Sequence, residues 1–153
     1  MGYLLGYFAI LGIFLLIMLA VCVVAYIFYG ISHSRALKHM GYANPWAAWV
    51  PFYNFYALAD CTKQSEFKLG TLVIPMNIFK WAWAAAFIVS FIPVIGSLAM
   101  LAILCIYQGW CYGLMYAVTE RTPIDNTRTI GYVSGVFVII PIVKFMQLSK
   151  EVE

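Results

Sequence analysis

The chain has 153 residues, 65% of them hydrophobic and 10% charged, with mean hydropathy +0.91 and a formal net charge of +3. A soluble domain carries about a quarter charged residues, so this balance excludes an ordinary water-soluble globule, and it offers no basic surface for nucleic acid. At this length the expectation is one transmembrane domain over residues 1–153, with room for four or five crossings and little else.

From Tyr3 to Tyr29 no charged side chain interrupts the chain. A helix rising about 1.5 Å per residue needs roughly 20 apolar residues to cross the hydrocarbon, so a helix over 3–30 spans with length to spare. The run is longer than the usual signal-peptide core, has no basic residues ahead of it and closes without a small-x-small site. It is therefore expected to be retained. The start, Met1-Gly2-Tyr3-Leu4-Leu5-Gly6, lacks the Ser or Thr of a myristoylation signal.

A basic juncture with Arg35 and Lys38 follows, then an aromatic stretch over 44–61 broken by Pro45 and Pro51. Trp and Tyr favour the headgroup level, and the stretch is too short to cross. It reads as a re-entrant or interfacial element, with two short helices hinged at Pro51 as one form of it and an ordinary interfacial loop as the other. After a polar loop over 62–68, the chain is apolar from Leu69 to Val118 except at Lys80. Pro93 and Gly96 mark the break, giving helices over 74–92 and 94–118. A second polar loop, Thr119 to Arg128, leads to a last helix over 129–148, which Asp125, Asn126 or Thr127 would cap. The fold expected is all-α and polytopic, with about four transmembrane helices plus the aromatic element.

Arg35, Lys38, Lys63, Lys68, Arg121 and Arg128 fall on one side if 44–61 does not cross, with Lys144 and Lys150 toward the other. The positive-inside rule then predicts cytoplasmic polar loops and both termini outside.

Few features carry chemistry. Gly109/Gly113 and Gly131/Gly135 are G-x-x-x-G spacings that let helix backbones approach closely, within the chain or against a partner. Lys80 and Lys144 are intramembrane charges, functional suspects by default, although a lysine one turn from a helix end snorkels to the surface. His33 and His39, six apart, do not share a helix face and form no metal pair. No H-E-x-x-H, G-x-S-x-G or phosphate-cradling glycine loop is present, so no catalytic residue, cofactor or metal is expected. Cys22, Cys61, Cys105 and Cys111 form no C-x-x-C pair and read as small hydrophobes. The pairs Val50-Pro51, Ile74-Pro75, Ile92-Pro93 and Ile140-Pro141 recur. Broken helices at equivalent places point to binding sites in transporters, but proline is also simply common in spanning helices.

The run Gly41-Tyr42-Ala43-Asn44-Pro45-Trp46-Ala47-Ala48-Trp49-Val50-Pro51-Phe52-Tyr53-Asn54-Phe55-Tyr56-Ala57-Leu58 resembles a family of small bacterial membrane proteins of unknown function. Related segments are found fused ahead of membrane-bound signal peptidases. The resemblance extends over about 35–145, with Trp81-Ala82-Trp83 and Ile92-Pro93-Val94 similar in kind. The N-terminal helix, and Gly96 where the family tends to carry Asn, depart from it. It implies an architecture and a supporting role beside a membrane machine, not a reaction.

The leading expectation is a non-catalytic accessory or structural subunit of a bacterial inner membrane, packed against lipid and against a membrane partner or its own copies. The alternative is a small transporter or lipid-binding protein built on the element near Pro51–Asn54. Arg35, Lys38, Trp49, Tyr53, Asn54, Asn77 and Lys80 are its candidate ligand or lipid contacts.

Overall fold

The structure, a computed structural model, describes residues 2–93 and 95–148. Val94 and the tail that carries Lys150 lie outside the described residues. Helix dominates, and α1 (Gly2–His39) is a single 38-residue helix, about 57 Å long. It runs past the expected end at residue 30, so Arg35 and Lys38 belong to its final turns. Gly41 ends it in the left-handed region at φ 66. There the Gly41 N–H donates to the Lys38 carbonyl and the Tyr42 N–H to the Leu37 carbonyl, each at 2.9 Å.

The aromatic stretch forms a 3-10 helix (Pro45–Trp49) and then α2 (Tyr53–Asp60). The joint lies at Pro51–Phe52, where Phe52 takes φ 66, a costly conformation for a bulky residue. Its ring is held by stacking on Trp83 at 5.9 Å and by an edge contact with Phe87 at 5.1 Å.

Next comes a β-hairpin, β1 (Glu66–Leu69) against β2 (Leu72–Pro75), in antiparallel register from Glu66↔Pro75 to Leu69↔Leu72. Gly70 at φ 61 makes the two-residue reversal possible. Ile74 and Pro75, expected to open a helix over 74–92, are therefore strand. The rest of that segment is α3 (Met76–Phe79) and α4 (Ala82–Val89), broken at Lys80–Trp81. Pro93 ends α4, because its ring would strike the carbonyl of Val89 four residues back.

α5 (Ile95–Thr119) follows the expected third helix closely. α6 (Ile124–Val136) and α7 (Ile139–Gln147) replace the single crossing expected over 129–148. Pro141 again supplies the reason: a continuous helix would drive it into the carbonyl of Phe137, where α6 stops. α6 also begins early, behind Pro123 as its N-cap. Asp125, Asn126 and Thr127 thus sit inside its first turns rather than capping it.

Long-range contacts fix the layout. Phe79 stacks on Tyr107 at 4.8 Å and Gly96 abuts Val89, so α4 and α5 form an antiparallel hairpin. α6 runs antiparallel to α5, with Thr127 bonded to Gly113 and Gly135 against Cys105. α7 then turns back. Its Lys144 pairs with Glu120, and Met146 accepts a bond from Arg35. The end of α7 therefore shares a face with the 119–123 turn and the end of α1. The charge count placed Lys144 toward the opposite side.

α1, from Gly6, and α5 are long and apolar enough to cross a membrane. From Gly6 to Phe28, α1 is exposed at every position but Gly12. The core lies instead under its last third, where Phe67, Phe79, Tyr107 and Trp110 interlock with ring centroids between 4.3 and 5.2 Å apart.

Candidate functional site

His33 is buried, 1% exposed, where α1 passes α5 and α7. Its Nδ1 lies 3.0 Å from the Tyr29 carbonyl, which can only accept, so Nδ1 carries the proton. Nε2 must then accept, and the Tyr112 hydroxyl donates to it at 2.9 Å. The Tyr29 ring stacks on the imidazole at 3.8 Å, and Asn54 Nδ2 reaches the Tyr29 hydroxyl at 3.5 Å. Ser32 donates to the Tyr29 carbonyl at 2.9 Å. Phe145 closes the site edge-on to the imidazole at 5.5 Å. With both ring nitrogens engaged, His33 offers no lone pair to a metal or a substrate. It fastens α1 to α5 in a buried place where an unpaired polar group is costly. Asn54 Oδ1, buried without a partner among the described residues, is a loose end beside this cluster.

A second polar group gathers at α2. Lys80 pairs with Asp60 and lies 5.5 Å from the Tyr56 ring centre. Tyr56 stacks on Tyr53 at 5.8 Å. Burial, the neighbouring Tyr53 hydroxyl and the Asp60 charge all hold the Tyr42 phenol above its ordinary range. Burial, with Asp60 adding, pushes the Cys61 thiol up to about 12.

The third is a cleft of about 620 Å³ at the ends of α5 and α7, lined by Tyr116, Glu120, Arg121, Lys144, Phe145 and Gln147 among others. Lys144 pairs with Glu120 and lies 4.6 Å from the Tyr116 ring centre. Tyr116 donates to Ser134 at 3.0 Å.

The seven residues expected around a ligand or lipid site do not converge. Tyr53 and Lys80 share the α2 cluster, whereas Asn54 turns to Tyr29. Trp49 packs on α1, where a Cβ at Gly30 would lie 2.5 Å from its indole, and its carbonyl accepts from Tyr26. Arg35 donates to the Met146 carbonyl at 3.3 Å, at the end of α7. Lys38 is exposed, and Asn77, also exposed, bonds the backbone N–H of Ile78.

The four glycines do meet, in the α5–α6 seam. A Cβ on Gly131 would lie 2.5 Å from Gly113 Cα and 2.6 Å from the Gly109 carbonyl; one on Gly135 would lie 2.4 Å from the Cys105 carbonyl. Sequence reasoning missed His33, Tyr112, Glu120 and Ser134. Their partners lie up to 79 residues away, and no local spacing signals such pairs.

Comparison of the chain with family models, with curated proteins and with solved structures gives no match.

Proposed function

We propose that this chain is a non-catalytic accessory or structural subunit of a bacterial inner membrane, packing against a larger membrane partner or against its own copies. The supporting observation is the outer part of α1. Over Gly6–Phe28, about 34 Å of apolar helix, it has exposed side chains all round apart from Gly12. Glycine in a helix interior costs about 1 kcal/mol against alanine. Gly109, Gly131 and Gly135 offset that cost through close backbone contact inside the chain, but a Cβ on Gly6 or Gly12 would have nothing within 4 Å. Those two glycines suit the approach of a helix from another chain. The basic residues of the loop face, Arg35, Lys38, Lys63, Lys68 and Arg121, support a reading in which that face is cytoplasmic, the N-terminus is outside and the end of α7 is on the loop side.

Purification from native membranes in mild detergent, with sizing and mass spectrometry, tests this. A stoichiometric membrane partner or a homo-oligomer that Gly12→Leu weakens is expected; a monomer free of protein partners would refute it. The transporter or lipid-binding reading draws on the buried, unpartnered Asn54 Oδ1 beside Pro51. It predicts instead a lipid or small molecule that co-purifies and is lost in Asn54→Ala.

A further inference from the structure

Lys80 is the last charged residue before Glu120. Between them stands the α4–α5 hairpin, whose outer part has only itself for company. Ile88, Phe91, Ile95, Leu98 and Leu101 are 58–86% exposed, Phe91 the most of all. Its base is marked twice over: Lys80 pairs with Asp60, and Trp81 packs against Tyr56 at 5.4 Å in an aromatic girdle of the headgroup kind. Tyr107 joins that level from α5, bonding the Phe55 carbonyl at 2.7 Å and the Lys80 carbonyl at 3.4 Å.

From Tyr107 to Ile95 the helix rises about 18 Å, against a hydrocarbon core of about 30 Å. The hairpin is too short to bring its turn out on the far side, and that turn, Ser90-Phe91-Ile92-Pro93, has no charged residue to hold it in water. Its backbone is largely satisfied from within. Ser90, Phe91 and Ile92 N–H groups donate to Ala86, Ile88 and Val89 carbonyls, and Gly96 N–H to Ile92, as a turn at membrane depth requires. Gly135, near the end of α6, sits against Cys105 of α5, so the α6–α7 turn just beyond it lies about 12 Å short of the same depth.

We propose that the α4–α5 hairpin is a re-entrant wedge occupied on its outside by lipid acyl chains, entering from the loop face and ending near the bilayer midplane beside α1, the complete crossing. This rests on the membrane reading above, and replaces two full crossings over 74–92 and 94–118 with one half-crossing.

Cysteines introduced one at a time at Tyr7, Phe91 and Asn126, in a chain with Cys22→Ala and Cys105→Ala that keeps the buried Cys61 and Cys111, test it in sealed vesicles of each orientation; Ile88→Cys and Leu98→Cys are alternates should Phe91→Cys fold poorly. The expected result is impermeant maleimide reaching Tyr7→Cys from one side, Asn126→Cys from the other and Phe91→Cys from neither. An environment-sensitive dye on Phe91→Cys, after reconstitution in phosphatidylethanolamine and phosphatidylglycerol, should be quenched most by nitroxides near the acyl-chain ends. Labelling of Phe91→Cys from the Tyr7 side would establish full crossings and overturn the proposal, as would a dye that lipid nitroxides do not reach, which would mean a protein cover. Release of the chain by alkaline carbonate would instead remove the membrane reading itself.

Discussion

Alanine substitution at Gly131 should separate the α5–α6 seam, and its size can be worked from the geometry. The added Cβ would stand 2.5 Å from both Gly113 Cα and Gly113 N, and 2.6 Å from the Gly109 carbonyl. All three are backbone, so no side chain can swing aside, and the helices must part by about 1 Å to restore ordinary contact. Overpacking of this kind costs about 1–3 kcal/mol, and alanine's better helix propensity returns about 1. The net loss expected is up to about 2 kcal/mol. Gly113 is the internal control. A Cβ there meets nothing nearer than Arg128 Cα at 3.5 Å, ordinary contact, so Gly113→Ala should be neutral or stabilising by up to about 1 kcal/mol. Unfolding of the helical signal by SDS in mixed micelles measures both. Equal destabilisation by the two substitutions, or none by Gly131→Ala, would refute the seam as the reason for these glycines.

Tyr112→Phe removes the donor to His33 Nε2 and should lower stability by about 1–2 kcal/mol in the same SDS titration. His33→Phe combined with it should recover part of the loss, since both polar partners are then gone. A double-mutant cycle on Asp60→Asn and Lys80→Gln should give a coupling of up to about 1 kcal/mol. The open pair Glu66–Lys68, with side chains 40% and 65% exposed, should give about zero. Cys61, fully buried and with its thiol near 12 instead of the ordinary 9.0, holds about a thousandfold less thiolate at pH 8 than a free thiol. It should resist maleimide until the chain is unfolded. The sign also fixes its share of stability: burial favours the neutral thiol, so that share is whole below pH 9 and falls as pH rises from there toward 12.

The long apolar runs were legible because a helix long and apolar enough to cross a membrane needs no periodicity to be read: α1 and α5 follow from length and hydropathy alone. The prolines were legible as punctuation, since Pro51, Pro93 and Pro141 each sit where an element stops or starts. What composition hid was the difference between a crossing and a turn back. Ile139 to Gln147 is as apolar as a crossing needs, and only contacts such as Lys144 with Glu120 reveal its direction. The β-hairpin was hidden for another reason. Phe67, Leu69, Leu72 and Ile74 flank a two-residue Gly70-Thr71 link, a recognisable hairpin signal, but it merges into an apolar run long enough to be taken for helix. The seam glycines were visible as a spacing. The His33 cluster was not, because its members have no pattern until the helices are already packed.

The bond from Arg35 to Met146 spans 111 positions, and it has a meaning for biosynthesis. α1 is made before α7, yet Phe145 of α7 covers His33 of α1. The imidazole must therefore wait, uncovered, while every element between the two is made. A nascent chain stopped short of α7 presents an open polar notch, and the arrival of α7 closes it.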